Sequence, residues 1–146
     1  MIKIDFPKEQ IKTRQRQGVN EIFDIIRKKW LVLSPEEWVR QNILQYLLTI
    51  KNYPASLIAV EKEIKLAELK KRCDIVIYNR QSHPWMIIEC KEMKVTLSQK
   101  TMEQILRYHL ALPAKYLVIT NGGYCFGFEK KQNQFFEISA FPDFEV

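Results

Sequence analysis

The sequence predicts an α+β fold, or mixed α/β sandwich, with a central mixed sheet flanked by helices. Two helix starts, at Ser34 and Ser98, stand apart in a chain otherwise made of strand-like segments. Those segments alternate or run apolar over roughly four to eight residues between turn residues. The 146 residues suggest one domain, 1–146, and an apolar content of 47 % excludes a disordered chain.

Taken in order, Ile2–Phe6 reads as a short strand, and the polar, basic residues 7–20 read as an arm or loop. Glu21–Ile26 and Trp30–Leu33 form an N-terminal hairpin around the basic turn Arg27-Lys28-Lys29. Ser34 is an N-cap, with Pro35 at the first helical position and Glu37 three residues on. Val39, Ile43, Leu44, Leu47 and Leu48 carry helical spacing to about Ile50, and Asn52-Tyr53-Pro54 ends it. Leu57–Leu66 alternates as a strand should, then the basic turn Lys70-Lys71-Arg72 leads into a strand at Cys73–Tyr78. Asn79–His83 turns the chain, and Pro84 opens the strand Trp85–Lys91. The helix from Ser98 runs to about Leu112 and is closed by Pro113. Tyr116–Thr120 is a buried strand, ended by the turn Asn121-Gly122-Gly123. A C-terminal hairpin, Tyr124–Phe128 with Phe135–Ser139, turns over Lys130–Asn133.

Charge and composition narrow the function. With 23 Lys and Arg against 17 Asp and Glu, the net charge of +6 mildly favours a polyanionic partner. Three cysteines without a CxxC pair suit a reducing compartment, and Met1–Pro7 has no apolar leader. No apolar run approaches the roughly 18 residues of a membrane span. The expected location is cytoplasmic, with no membrane partner. His83 and His109 are far apart and lack paired cysteines, so they make no zinc site. Neither G-x-S-x-G nor G-x-x-x-x-G-K-[ST] occurs. Trp38 lies opposite its helix's apolar stripe and is read as packing on the N-terminal arm or a partner.

One tripeptide carries chemistry. Metal-dependent cleavage of a phosphodiester needs convergent carboxylates and a nearby cation. In [D/E]-x-K on a strand, residues i and i+2 point to one face. The pattern occurs five times, at Glu63, Glu68, Glu89, Glu92 and Glu129, so alone it means little. Context separates them. Glu89 and Lys91 end a strand whose residues Trp85–Ile88 are all apolar, which marks a central, buried strand. Asp74 opens another apolar strand, and antiparallel pairing puts it at the same end as Glu89. Cys73 and Cys90 then point the other way, into the core. Glu63 sits in the alternating strand and Glu129 in the polar hairpin turn. The alternative for Asp74, Glu89 and Lys91 is an internal salt-bridge cluster.

Two helices add candidates. Gln104 and Tyr108, at i and i+4 with Arg107 nearby, can face the same site. Glu36 falls within the stripe of Val39, Ile43 and Leu47, where a carboxylate needs a partner. Glu37 is accounted for by the capping box with Ser34. Glu36 is therefore favoured as the helix-borne acid.

Helix with Glu, strands with Asp…Glu-x-Lys, then helix with Gln-x-x-x-Tyr resembles the PD-(D/E)xK nuclease superfamily. Leu33–Gln41, Lys71–Ile77, Ile88–Lys91, Gln104–Tyr108 and Tyr116–Gly122 are most similar to the N-terminal nuclease domain of type I restriction enzyme R subunits. They span a motif-bearing core at about 21–123. Cys73 stands where many superfamily members have proline. The resemblance implies a restriction-endonuclease-like core and Mg²⁺-dependent hydrolysis of DNA, with Mn²⁺ as a substitute. It implies that Asp74, Glu89 and the Cys90 main-chain carbonyl hold the metal, that Lys91 positions or activates water, and that Gln104 shapes the site. Arg14, Arg16, Arg27, Lys28, Lys29, Lys70, Lys71 and Arg72 are the candidates for backbone contacts. R subunits carry an ATP-driven translocase after this domain, so a partner chain supplying targeting or a motor is expected. Cuts on opposite strands would favour a homodimer. The rival readings are a non-catalytic nucleic-acid-binding or assembly module of the same fold, and a basic protein whose charge only keeps it soluble.

Overall fold

The structure, a computed structural model, describes residues 1–7 and 11–144. Nine strands and two α-helices occur among them. Strands β1 (Thr13–Arg16), β2 (Val19–Asp24) and β3 (Lys29–Val32) form an antiparallel three-stranded sheet. Helix α1 (Pro35–Thr49) follows, and a short 3₁₀ turn at Ala55–Leu57 leads into a six-stranded sheet. Its strands are β4 (Ile58–Leu66), β5 (Leu69–Tyr78), β6 (Pro84–Cys90), β7 (Tyr116–Thr120), β8 (Cys125–Lys131) and β9 (Gln134–Ile138), in that spatial order. Neighbours are antiparallel except β6 and β7, which are parallel and joined through helix α2 (Gln99–His109). The fold is α+β, with a mixed sheet compatible with a restriction-endonuclease-like core.

The two helices bury opposite faces of the large sheet. Val39, Ile43, Leu44 and Leu47 of α1 pack with Ile75, Ile77, Met86, Ile88 and Val118. Met102 of α2, with Leu112 and Ala114 beyond its end, packs with Val76, Ile87, Leu117 and Ile119. β6 thus feeds both cores, Trp85, Met86 and Ile88 one and Ile87 the other, which is why Trp85–Ile88 carry no polar position.

Several expectations need correction. Ile2–Phe6 is not a strand: Ile2 N–H donates to Cys125 O at 2.8 Å, and its side chain is buried. Its alternation serves packing, with the Ile2 Cδ1 lying where a Cβ on Gly127 would fall, 2.5 Å away. Of the predicted arm, residues 8–10 lie outside the described residues, and most of 13–20 is β-structure. Gln17 (φ 52°) and Gly18 (φ 78°) make the tight turn between β1 and β2. Lys70-Lys71-Arg72 is no turn but the outer half of β5, paired with Lys65, Ile64 and Glu63. The reversal is at Ala67 (φ 55°) and Glu68. Glu129 lies in β8, not in the hairpin turn, which is Gln132-Asn133.

A single carboxylate ties off the small sheet. Asp24 has no exposed surface; its Oδ1 accepts from Ile26 N–H (2.8 Å) and Arg27 N–H (2.9 Å), and its Oδ2 from Arg27 Nε (2.5 Å). Burial would raise its pKa, but the Arg27 and Ile26 donors outweigh it and hold the carboxyl below its ordinary 3.8. The anion therefore contributes stability above about pH 4, and that contribution is lost as acid protonates it. Asp24→Asn should destabilise by about 2 kcal/mol at pH 7. In urea unfolding the gap to the parent should narrow below pH 4; an equal gap at pH 3 would contradict this assignment.

Candidate active site

Helix α1 starts where the sequence placed it, with Ser34 Oγ accepting from Glu37 N–H at 3.0 Å. The Glu37 side chain, however, does not close a capping box among the hydrogen bonds of the described residues. It is buried, and its carboxylate receives Arg40 Nη1 at 2.9 Å and Gln41 Nε2 at 3.1 Å. Glu36, expected inside the apolar stripe, has a side chain 51 % exposed. The reason is the three-stranded sheet, which covers a second flank of α1, where Gln41 Oε1 accepts from Ile25 N–H. The buried face is thereby centred on Glu37, Arg40, Leu44 and Leu47, and Glu36 stays at the rim, 3.5 Å from Arg40.

Arg40 gathers carboxylates from three elements. Nη1 lies 2.9 Å from Glu37 and 3.2 Å from Glu61 of β4; Nη2 lies 3.1 Å from Asp74 of β5. Only 4 % of the residue is exposed. Burial works against its charge, but Glu37 and Asp74 raise its pKa above the ordinary value, so it is a cation here. Glu61 also receives Arg27 Nη1 at 3.0 Å and Arg72 Nη2 at 3.2 Å. It does so from a left-handed backbone conformation (φ 51°) inside a strand, which costs on the order of 1–2 kcal/mol for a residue with a side chain. The charge-assisted bonds it gains outweigh that strain.

Asp74 stands where β5 parts from β6. The last ladder pair is Ile75 with Ile88, and one step further Asp74 Oδ2, not a main-chain carbonyl, accepts the Cys90 N–H at 2.8 Å. This insertion sends Cys73 and Cys90 into opposite cores. It also leaves Asp74 beside Glu89, as the register requires. Burial and the Glu89 carboxylate push Asp74 up to about 7, against the Cys90 N–H and Arg40.

Glu89 faces α2 and is 5 % exposed. Its Oε1 lies 3.2 Å from His109 Nε2 and 3.7 Å from Lys71 Nζ. Burial opposes its ionisation, yet His109 and Lys71 hold it below the usual carboxylate range. Glu89, Lys71, Lys91, Gln104, Ile105, Tyr108 and His109 line one cleft of about 170 Å³. Lys91 is anchored by its N–H to Thr120 O at 2.8 Å, and Tyr108 OH donates to Lys70 O at 3.4 Å. The structure thus brings Glu89, Lys91, Gln104 and Tyr108 to one cleft, with Asp74 beside Glu89 but outside the cleft lining; Arg107 faces elsewhere, beside Glu103 and Asn133.

The whole chain's cationic candidates divide. Arg27 is taken up by Asp24, Glu61 and, at 3.8 Å, Glu37. Lys71 turns into the cleft, whereas Lys28, Lys29, Lys70 and Arg72 are exposed. Arg40 and His109 were missed in the sequence. Arg40 sits at i, i+4, i+7 with Leu44 and Leu47, and His109 at the same spacing after Met102 and Leu106; a charged or titratable residue on an apolar stripe is the signal for both. The three cysteines are free and buried, and burial pushes Cys73 and Cys125 up to about 12, which excludes a thiolate nucleophile at neutral pH.

The sequence family described as type I restriction enzyme R protein N terminus matches residues 35–142, from the first turn of α1 to just past β9. The chain belongs to that family. No curated protein matches it. The R-protein N-terminal match contains every residue of the cleft and begins after the three-stranded sheet. Among the described residues no helix is long and apolar enough to cross a membrane.

Arg40→Met should cost about 3–5 kcal/mol, because Glu37 and Asp74 would be left buried without their cation. Adding Glu37→Gln should restore part of the loss in urea unfolding; full additivity of the two changes would show that the pair is not coupled.

Proposed function

We propose that this chain is a divalent-metal-dependent endonuclease domain that hydrolyses DNA phosphodiester bonds. The observation that carries the reading is the pairing of Asp74 and Glu89 at one strand end, with Lys91 two residues on and Gln104 across the cleft. Family membership supports a restriction-nuclease role and DNA as partner. The residues fit a hard cation. Glu89 Oε1 is buried without a hydrogen-bond donor; among the described residues no three His, Cys, Asp or Glu side chains group as a metal site, so a cation here would rest on two carboxylates, a main-chain carbonyl and water. Two carboxylates and the Cys90 carbonyl suit Mg²⁺, which keeps several waters, or Mn²⁺, better than zinc. When bound, the cation supplies a Lewis acid and charge for the phosphodiester.

The chain's own groups do the rest. Lys91 presents an ammonium to the cleft, where it orients the attacking water or a phosphate oxygen. Gln104 offers an amide from α2, and Lys71 adds a second cation beside Glu89. A cleft of about 170 Å³ is below the roughly 300 Å³ at which whole small-molecule sites begin, so it takes one phosphate at the edge of a larger ligand. His109 Nε2 and Lys71 Nζ lie 3.2 Å and 3.7 Å from Glu89 Oε1, within ion-pair reach. We read the chain as one domain of a cytoplasmic assembly, with a partner subunit for targeting or a motor.

One observation favours the rival, a non-catalytic module: Asp74 and Glu89 already face Arg40, Lys71 and His109, as a structural salt-bridge cluster would. Titration calorimetry with Mn²⁺ separates the two. Saturable binding that Asp74→Ala removes is expected, and its absence in the parent would leave the module reading. In plasmid nicking with Mg²⁺, Glu89→Ala should abolish cleavage with an unchanged far-UV spectrum. Lys91→Ala should slow it by about 10²–10⁴-fold. Unchanged nicking in either variant would sink the site assignment.

A further inference from the structure

The three-stranded sheet precedes the family match and has no part in the cleft, yet one of its faces is built in an unusual way. Its register places Lys12, Arg14, Arg16, Val19, Glu21, Phe23, Trp30 and Val32 on a single face. The opposite face holds Ile22 and Asp24, both without exposed surface, so the first face is turned outward. Lys12 is in line with Phe23, whose N–H donates to Lys12 O at 3.0 Å.

The outward face has two rows. In one, Lys12 Nζ lies 5.6 Å from the Phe23 ring, which meets Trp30 edge-on at 5.3 Å. In the other, Glu21 grips Arg14 by Nε at 2.8 Å while the guanidinium lies 4.1 Å over the Trp30 ring. Arg16 and Lys12 are exposed on either side of Arg14. Alternate residues of a strand are about 6.8 Å apart, close to the separation of successive phosphates along one nucleic-acid strand. At the Phe23 end lies a cavity of about 320 Å³, walled by Ile11, Lys12, Phe23, Ile25, Lys28, Gln41 and Gln45. Two lysines rim it, an aromatic ring forms one side, and two amide side chains face it from α1.

We propose that this face is a docking surface for an unpaired DNA strand. Lys12, Arg14 and Arg16 take successive phosphates, Trp30 and Phe23 offer ring faces or edges to the bases, and the cavity takes one base against Phe23. Aromatic rings interleaved with cations are what sequence-tolerant single-strand binding requires. A duplex keeps its bases stacked and cannot use the rings or the cavity. Glu21 is the one acidic group among the described residues of the face, and its bond to Arg14 fixes the guanidinium over Trp30. The inference rests on the DNA reading above, but it concerns a different surface.

The test is fluorescence anisotropy with a labelled 20-mer of oligo(dT), in EDTA so that no cleavage intervenes, over a salt series. Three phosphate contacts predict a slope of log K against log[salt] of about −2 for a single strand. Arg16→Gln and Lys12→Gln, both at exposed positions, should each flatten it by about 0.7. Trp30→Ala should weaken binding about 5- to 150-fold. Trp30→Leu keeps apolar bulk in case the alanine variant fails to fold, and should weaken binding similarly. A matched duplex should bind more weakly than the single strand. Equal binding of duplex and single strand, or slopes and affinities unmoved by Arg16→Gln and Trp30→Leu, would overturn the proposal. Nicking of plasmid without this strand binding would remove the docking surface and leave the nuclease reading; strand binding without nicking would do the reverse.

Discussion

A buried guanidinium organises this molecule. Arg40 is almost wholly removed from water, which costs several kcal/mol for an isolated charge, so its surroundings must supply anions. They come from α1 itself, from the middle of β4 and from the start of the apolar run in β5. Because those three segments are held to one side chain, the rotation of α1 about its axis is fixed. A turn of one residue would bring Glu36 or Gln41 to the sheet and leave Asp74 without its cation. Glu61 even accepts a left-handed backbone to remain in reach. The nearby carboxylate of Asp74 inherits the consequences of this arrangement, since its position is set from α1 on one side and from Glu89 on the other.

The site is placed by a fault in the sheet. From Ile75 to Ile77 the β5 main chain pairs with β6 residue by residue; at Asp74 a side chain takes over the hydrogen bond to Cys90. That exchange opens the strand end just enough to bring two carboxylates together, one looking toward the α1 layer and one toward the α2 layer. The cleft then needs only the residues that α2 delivers. Its amphipathic stripe, anchored by Met102 and His109, turns Gln104 and Tyr108 toward β6.

Local signals in the sequence carried most of this. The Ser34 cap, the limits of β7 and the juxtaposition of Asp74 with Glu89 follow from hydrogen-bonding chemistry and strand parity, which act over a few residues. What local pattern could not show was what covers each element. Strand β1 is polar at every position, because it is an edge strand exposed on both sides, and so carries no alternation. The outer half of β5 looks like a turn in the sequence because its charges are solvated there while its backbone stays paired. Helical periodicity favours Glu36 over Glu37 only for a helix with one packing partner, and α1 has two. His109 is buried on its helix, yet its contact is a carboxylate on a strand distant in sequence, which no local pattern announces.

The junction between the small sheet and the rest of the chain joins charge to apolar packing, since Ile25 and Ile26 lie against the α1-side core. Arg27, in the turn after β2, is held by Asp24 on its own side and reaches Glu61 and Glu37 on the other. The two parts are therefore not freely exchangeable modules. A different N-terminal element grafted before residue 35 would preserve the packing of α1 on the large sheet but remove one of the cations that balance Glu61 and Glu37. Arg40 would then be shared among more anions, and its hold on Asp74 would loosen. Recombination at this boundary would be felt at the strand end some forty residues downstream, so any replacement segment must bring a cation to the place Arg27 occupies.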